Sequence, residues 1–161
     1  MLKKGIGATF AFFLLTLLLP THSLAATTID FSGTKDFFEE LKVGESKEGD
    51  LGNKNLPNPY ADAGYIKGYK IQLEKSIDPK KLELKVQSCA LKLPFICVGD
   101  AFDEVIYVLN SKFQPVEGEY RYKENVDFSK FKMPDDRVLY LLVGSEKTST
   151  SGQYTLGVTS K

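Results

Sequence analysis

From residue 65 onward, apolar and polar positions alternate in short runs with a period of two, the spacing of strands rather than helices. Tyr65-Ile66-Lys67-Gly68-Tyr69-Lys70-Ile71-Gln72-Leu73 sets Tyr65, Tyr69, Ile71 and Leu73 broadly on one face, and its Lys67-Gly68 step predicts a bulge. Leu82-Glu83-Leu84-Lys85-Val86-Gln87 alternates more cleanly after the turn Ile77-Asp78-Pro79, which predicts one wet face and one core face. Val105-Ile106-Tyr107-Val108-Leu109 and Val138-Leu139-Tyr140-Leu141-Leu142-Val143 are apolar throughout and short, as suits strands covered on both sides. Tyr154-Thr155-Leu156-Gly157-Val158-Thr159 alternates again, after a Ser/Thr-rich loop at 147–152. Residues 36–41 alone offer a helical turn or two, ended by Gly44, and residues 53–64 are a loop. Many strands with little helix predict an all-β chain, an antiparallel sandwich or jelly roll in a single domain.

The N-terminus departs from this pattern. Lys3 and Lys4 precede an apolar run at 10–19 broken only by Thr16, and Ser23-Leu24-Ala25 supplies the small residues of a cleavage site. Residues 1–25 are expected to be an export signal and 26–161 the mature domain, secreted or periplasmic. An uncleaved anchor is the alternative, but the run falls short of the roughly 20 apolar residues a spanning helix needs. No second stretch reaches membrane length, so no span is expected after cleavage.

Export changes the composition in two ways. Lys3 and Lys4 leave with the signal, which takes 21 Lys+Arg to 19 against 21 Asp+Glu, a net charge of about −2. That is no electrostatic footprint for nucleic acid. His22, the only histidine, leaves as well. Without an imidazole, Ser-His-Asp and Cys-His hydrolysis are excluded, and no enzyme activity is expected. Paired carboxylates remain a formal route, at Asp100, Asp103, Glu104 and Asp135-Asp136, yet the chain has no Trp to line a sugar cleft.

Cys89 and Cys97 would enter an oxidising compartment. Their pairing would close a short loop and contribute about 2.5 kcal/mol by chain entropy. No histidine or third cysteine completes a metal site with them. No cofactor is expected. Asp100, Asp103 and Glu104 are the candidate oxygen ligands for Ca²⁺, but their spacing matches no dedicated calcium loop, and acids at a strand start are ordinarily solvated.

Tyrosine is the more informative surplus. Tyr120-Arg121-Tyr122 alternates, so both rings are expected on one face with Arg121 on the other, and Tyr60 and Tyr65 lie in or near the long loop. Exposed tyrosines make low-entropy contact surfaces, so Tyr60, Tyr65, Tyr120, Arg121 and Tyr122 are the candidate contact residues. The competing reading packs these rings in the sandwich. Tyr107, Tyr140 and Tyr154, in core-like strands, are assigned to structure.

The order of segments resembles the bacterial pre-peptidase C-terminal domain. The resemblance is carried by Val43-Gly44-Glu45-Ser46-Lys47-Glu48-Gly49-Asp50-Leu51, then Tyr69-Lys70-Ile71-Gln72-Leu73, then Asp103-Glu104-Val105-Ile106-Tyr107-Val108-Leu109-Asn110. It closes on Tyr140-Leu141-Leu142-Val143-Gly144 with Gly152-Gln153-Tyr154-Thr155-Leu156-Gly157-Val158. It implies a β-sandwich of the kind appended to secreted proteases, some of whose relatives bind calcium. A standalone copy of the domain is expected here. The expectation is an exported, noncatalytic module that binds a protein or a cell-surface polysaccharide. The alternative is an accessory partner, chaperone-like or inhibitory, of a separately encoded secreted protease.

Overall fold

The computed structural model describes residues 31, 35–61, 63–93, 96–98, 101–147 and 151–161. The expected signal at 1–25 and Asp100 lie outside them, and for Cys97 only the backbone is described. Among the described residues twelve strands follow one another: β1 (Phe38–Glu40), β2 (Ser46–Leu51), β3 (Leu56–Pro57), β4 (Tyr65–Gln72), β5 (Leu82–Cys89) and β6 (Leu91–Leu93) in the first half. The second half holds β7 (Ile96–Val98), β8 (Val105–Leu109), β9 (Arg121–Tyr122), β10 (Asn125–Asp127), β11 (Val138–Gly144) and β12 (Gly152–Ser160). The five strands predicted from alternation or from unbroken apolar runs form where the pattern put them.

The strands make two sheets and a β6–β7 hairpin. The larger sheet runs β1-β4-β11-β8-β9, with β3 beside β4, and the smaller runs β10-β5-β12-β2. Every neighbouring pair is antiparallel except β1 with β4. The result is an all-β sandwich, and no helix among the described residues is long and apolar enough to cross a membrane. Strand β2 forms one edge of the smaller sheet and carries Lys47, Glu48 and Asp50.

Alternation explains the layering. Tyr69 and Ile71 of β4, Ile106 and Val108 of β8, and Leu139, Leu141 and Val143 of β11 point inward. They meet Leu82, Leu84 and Val86 of β5 and Tyr154, Leu156 and Val158 of β12 in one buried core. Across it the hydroxyls of Tyr69 and Tyr154 are 2.6 Å apart, so two buried polar tips satisfy each other. Glu83, Lys85 and Gln87 face away, which leaves the outer face of the smaller sheet wet, as predicted for β5.

The larger sheet is buried on its outer face too. Val105, Tyr107, Leu109, Leu142 and Ile66 form a second cluster there, covered by Phe31, Phe37, Phe38, Phe113, Tyr60 and Tyr140. The unbroken apolar runs of β8 and β11 therefore have the cause expected of them, a neighbour on each side.

Two local expectations are corrected. Residues 36–41 give only a 3₁₀ turn at Lys35–Phe37 before the chain extends into β1. Pairing with β4 in the register Phe38↔Gly68 outweighs weak helical propensity over so short a segment. The Lys67-Gly68 step is not a bulge, since both residues pair in unbroken register with Val143 and Leu142. Glycine is needed there for contact: a Cβ on Gly68 would lie 2.6 Å from the rings of Phe37 and Phe38. The turn before β5 forms as expected, with the Asp78 carboxylate accepting from the Lys80 N–H at 3.0 Å.

Candidate functional site

Strand register builds the site. β9 pairs with β8 as Tyr107↔Arg121 and Ile106↔Tyr122, so Arg121 shares the outer face with Tyr107 while Tyr122 turns inward with Ile106. The Tyr107 ring is buried, but its hydroxyl reaches the rim and donates to Glu146 Oε1 at 2.6 Å. Arg121 Nε donates to the same oxygen at 2.8 Å, and an Arg121 terminal N–H donates to Oε2. One carboxylate thus collects three hydrogens in a bidentate fork plus a phenol.

The loop from β3 to β4 closes the other side. Asn58, itself buried, donates to the Ser145 carbonyl at 2.8 Å and weakly to the Tyr107 hydroxyl at 3.4 Å, while its Oδ1 accepts from the Tyr60 N–H at 2.9 Å. That turn stacks the Tyr60 ring on Tyr107, with centroids 4.5 Å apart. Gly64 returns the loop to β4 at φ +96°, where a Cβ would lie 2.1 Å from the Ser145 carbonyl oxygen. Only glycine fits that approach.

Of the five candidate contact residues, Tyr60 and Arg121 sit at this corner. Tyr120, 39% exposed, precedes Arg121 in the chain, and its carbonyl accepts from the Val108 N–H at 2.8 Å. Tyr122 is corrected: at 5% exposure it belongs to the inner core, and its hydroxyl donates to the Glu119 carbonyl at 2.8 Å. Tyr120 precedes β9, and its bond with the Val108 N–H carries the β8–β9 register one residue further. Tyr65 packs against the inner core and supplies no outer contact. Asn58, Tyr107 and Glu146 were not foreseen. Asn58-Pro59 before an aromatic is a turn signal that points to the first, whereas nothing in Ser145-Glu146-Lys147 marks the last.

Of the candidate calcium ligands, the two described, Asp103 and Glu104, take different partners. Asp103 pairs with Lys147, while Glu104, 8% exposed, accepts from the Ser88 N–H at 2.6 Å. Among the described residues no three His, Cys, Asp or Glu side chains gather as a metal site. No free thiol occurs among them either, and Cys89 ends β5.

Comparison with known proteins adds no identity: no family model matches the chain, and no curated protein matches it. The chemistry of the corner must be read from its own groups. Arg121 holds the Glu146 carboxyl below the ordinary range against the opposing effect of burial, and the carboxylate in turn raises the guanidinium. Burial, then Glu146, pushes the Tyr107 hydroxyl up to about 12. Burial, with Tyr120 adding, raises Tyr60. Near neutrality these groups donate and accept hydrogen bonds in fixed protonation states, which suits recognition better than proton transfer.

Proposed function

We propose that this chain is an exported, noncatalytic β-sandwich module that binds a protein or a cell-surface polysaccharide through the corner around Tyr60, Tyr120 and Arg121. The observation that carries the reading is a preorganised Arg121–Glu146 fork at the rim of the larger sheet, held from beneath by buried Asn58 and Tyr107 and preceded in the chain by exposed Tyr120. Groups already locked in place lose little freedom on binding. The signal-like N-terminus supports export, and the order of strand motifs supports a relative of the pre-peptidase C-terminal domain. A Cys89–Cys97 bridge belongs to the same proposal, as a staple on the β6–β7 hairpin rather than a reactive pair.

The test is retention of the processed chain on a cell-envelope extract. Tyr120→Ala and Arg121→Ala should each reduce retention, the first with thermal unfolding unchanged and the second with a Tm lower by no more than about 3 °C for the lost Arg121–Glu146 pair. Full retention by both variants rejects this corner as the contact surface. A secreted protease as the dominant captured partner would favour the accessory reading instead.

A further inference from the structure

We infer that the chain holds a second binding site, separate from the Arg121 corner, which takes the free C-terminus of an extended peptide at the end of β4. The site begins with an interrupted ladder. The Leu73 N–H donates to the Arg137 carbonyl at 3.0 Å and the Ser145 N–H to the Tyr65 carbonyl at 3.1 Å, so odd-numbered residues of β4 turn their main-chain groups toward β11. Even-numbered residues turn theirs the other way. Ile66 lies beside β3, Gly68 and Lys70 lie beside β1, and the Leu41 N–H donates to the Lys70 carbonyl at 2.9 Å. There the series stops. The chain turns, with the Glu45 N–H on the Lys42 carbonyl at 3.0 Å, and no bond joins the Gln72 N–H to the Leu41 carbonyl. Gln72 keeps a main-chain donor and acceptor on an open edge, and it lines a cavity of about 400 Å³.

The direction of the ladder selects the occupant. In an antiparallel pair one residue exchanges both main-chain bonds with its opposite number, whereas a parallel neighbour needs two residues to do so. A single open residue therefore calls for an antiparallel visitor. Such a strand runs toward β1 and has to stop where β1 stops, so its last residue lies opposite Gln72 with the carboxylate on the Lys70 side. The carboxylate accepts from the Gln72 N–H, and the last N–H of the visitor donates to the Gln72 carbonyl. Lys42 and Lys70 line the same cavity, and among the described residues neither is in an ion pair, which makes them complementary in charge to a carboxylate at contact. The wider field is balanced. Glu40 and Glu45 offset the two lysines, Lys75 follows Glu74, and Arg137, on the Leu73 and Ile77 carbonyls, is matched by Asp136. The terminus is thus chosen by strand direction and local donors, with no net field behind it. The residue before the last falls opposite Leu73, on the core side of the strand, where Val43 and Ile77 offer an apolar seat.

The experiment follows fluorescence anisotropy of the peptide Gly-Ser-Ala-Leu-Ala, labelled at its N-terminus, as the processed chain is added. Saturable binding of the free acid is expected. The C-terminal amide should bind about tenfold more weakly because the charged acceptor is gone. Asp in place of the peptide's Leu should cost about tenfold as well, by setting a charge on the apolar seat. Lys42→Gln and Lys70→Gln should each weaken the free acid about threefold and leave the amide unchanged. Gln72→Pro removes an N–H that β11 does not use, and should weaken binding about tenfold. Hydrogen exchange reads the same group without substitution: the Gln72 amide should slow when the free acid is added. Equal binding of acid and amide, saturable binding of neither, or a Gln72 amide indifferent to the peptide overturns the inference. So does reversed polarity, in which an amidated peptide with a free N-terminus binds more tightly and is weakened by Glu40→Gln or Glu74→Gln. Tyr120→Ala and Arg121→Ala should leave peptide binding unchanged, and a loss in either overturns the separation of the two sites. Failure of this site leaves the corner reading standing, since retention on envelope extract tests that one alone.

Discussion

The outer face of the larger sheet is covered in two different ways at its two edges. Along the β1 edge, Phe31, Phe37, Phe38 and Phe113 pack ring against ring, with Phe38 4.7 Å from Tyr140 edge-on and Phe113 4.5 Å from it. Along the β9 edge, in the same cross-strand row, the cover is Tyr60 over Tyr107 with Arg121 and Glu146 at the rim. Hydrocarbon rings shield a sheet with no directional demand. The polar cover requires each donor to meet an acceptor, and the geometry that satisfies these demands is also what leaves Tyr120 and part of Arg121 facing water. One edge is insulation and the other presents a fixed set of polar groups at the rim.

Substitutions that disturb one edge and spare the other separate them. The largest effect is expected from Gly64→Ala, where a left-handed φ and a backbone collision combine to destabilise the fold by about 4 kcal/mol in urea denaturation. Phe38→Ala should destabilise by about 3 kcal/mol through loss of its ring contacts while the binding corner keeps its retention. Loss of retention in Phe38→Ala would show that the two edges are not independent. Glu146→Gln removes the charge that Arg121 and Tyr107 share, for about 1 kcal/mol of stability given the partial exposure of the pair.

Tyrosinate absorbance sharpens the same point. Tyr107 titrates with a folded value of about 12 against an ordinary 10.0, so the stability it contributes is complete below pH 10 and is lost as pH rises through 12. Tyr107→Phe should remove that part of the alkaline loss, and Glu146→Gln should bring the transition to lower pH. The smallest effect belongs far from both edges. Asp127, held by Lys161 and Ser129, is lowered from 3.8 to about 2, so its contribution is present above pH 4 and lost as pH falls through 2. Asp127→Asn should flatten that acid limb of the stability curve by slightly lowering stability at neutral pH, where the charged form contributes, and should match the unsubstituted chain once the pH is below 2.

The strands were legible because burial leaves a periodic trace. β5 and β12 alternate since one face of the smaller sheet is wet, and β8 and β11 do not since both of their faces are covered. What does the covering left no such trace. Phe31 and Phe113 are single aromatics outside any strand, and β1 is three residues whose extended form comes from pairing with β4. At the site, Tyr60, Tyr120 and Arg121 were visible as residue types, but which way Tyr122 turned depended on register with Ile106. Glu146 entered through the end of β11, a placement that only the folded sheet creates.

Strand β2 carries a further consequence. Its free side is fringed with Lys47, Glu48 and Asp50, and any neighbouring molecule adding a strand there would have to bring its own chain alongside alternating charges. Such a margin discourages edge-to-edge pairing of copies into fibrils, so crowded molecules remain separate units.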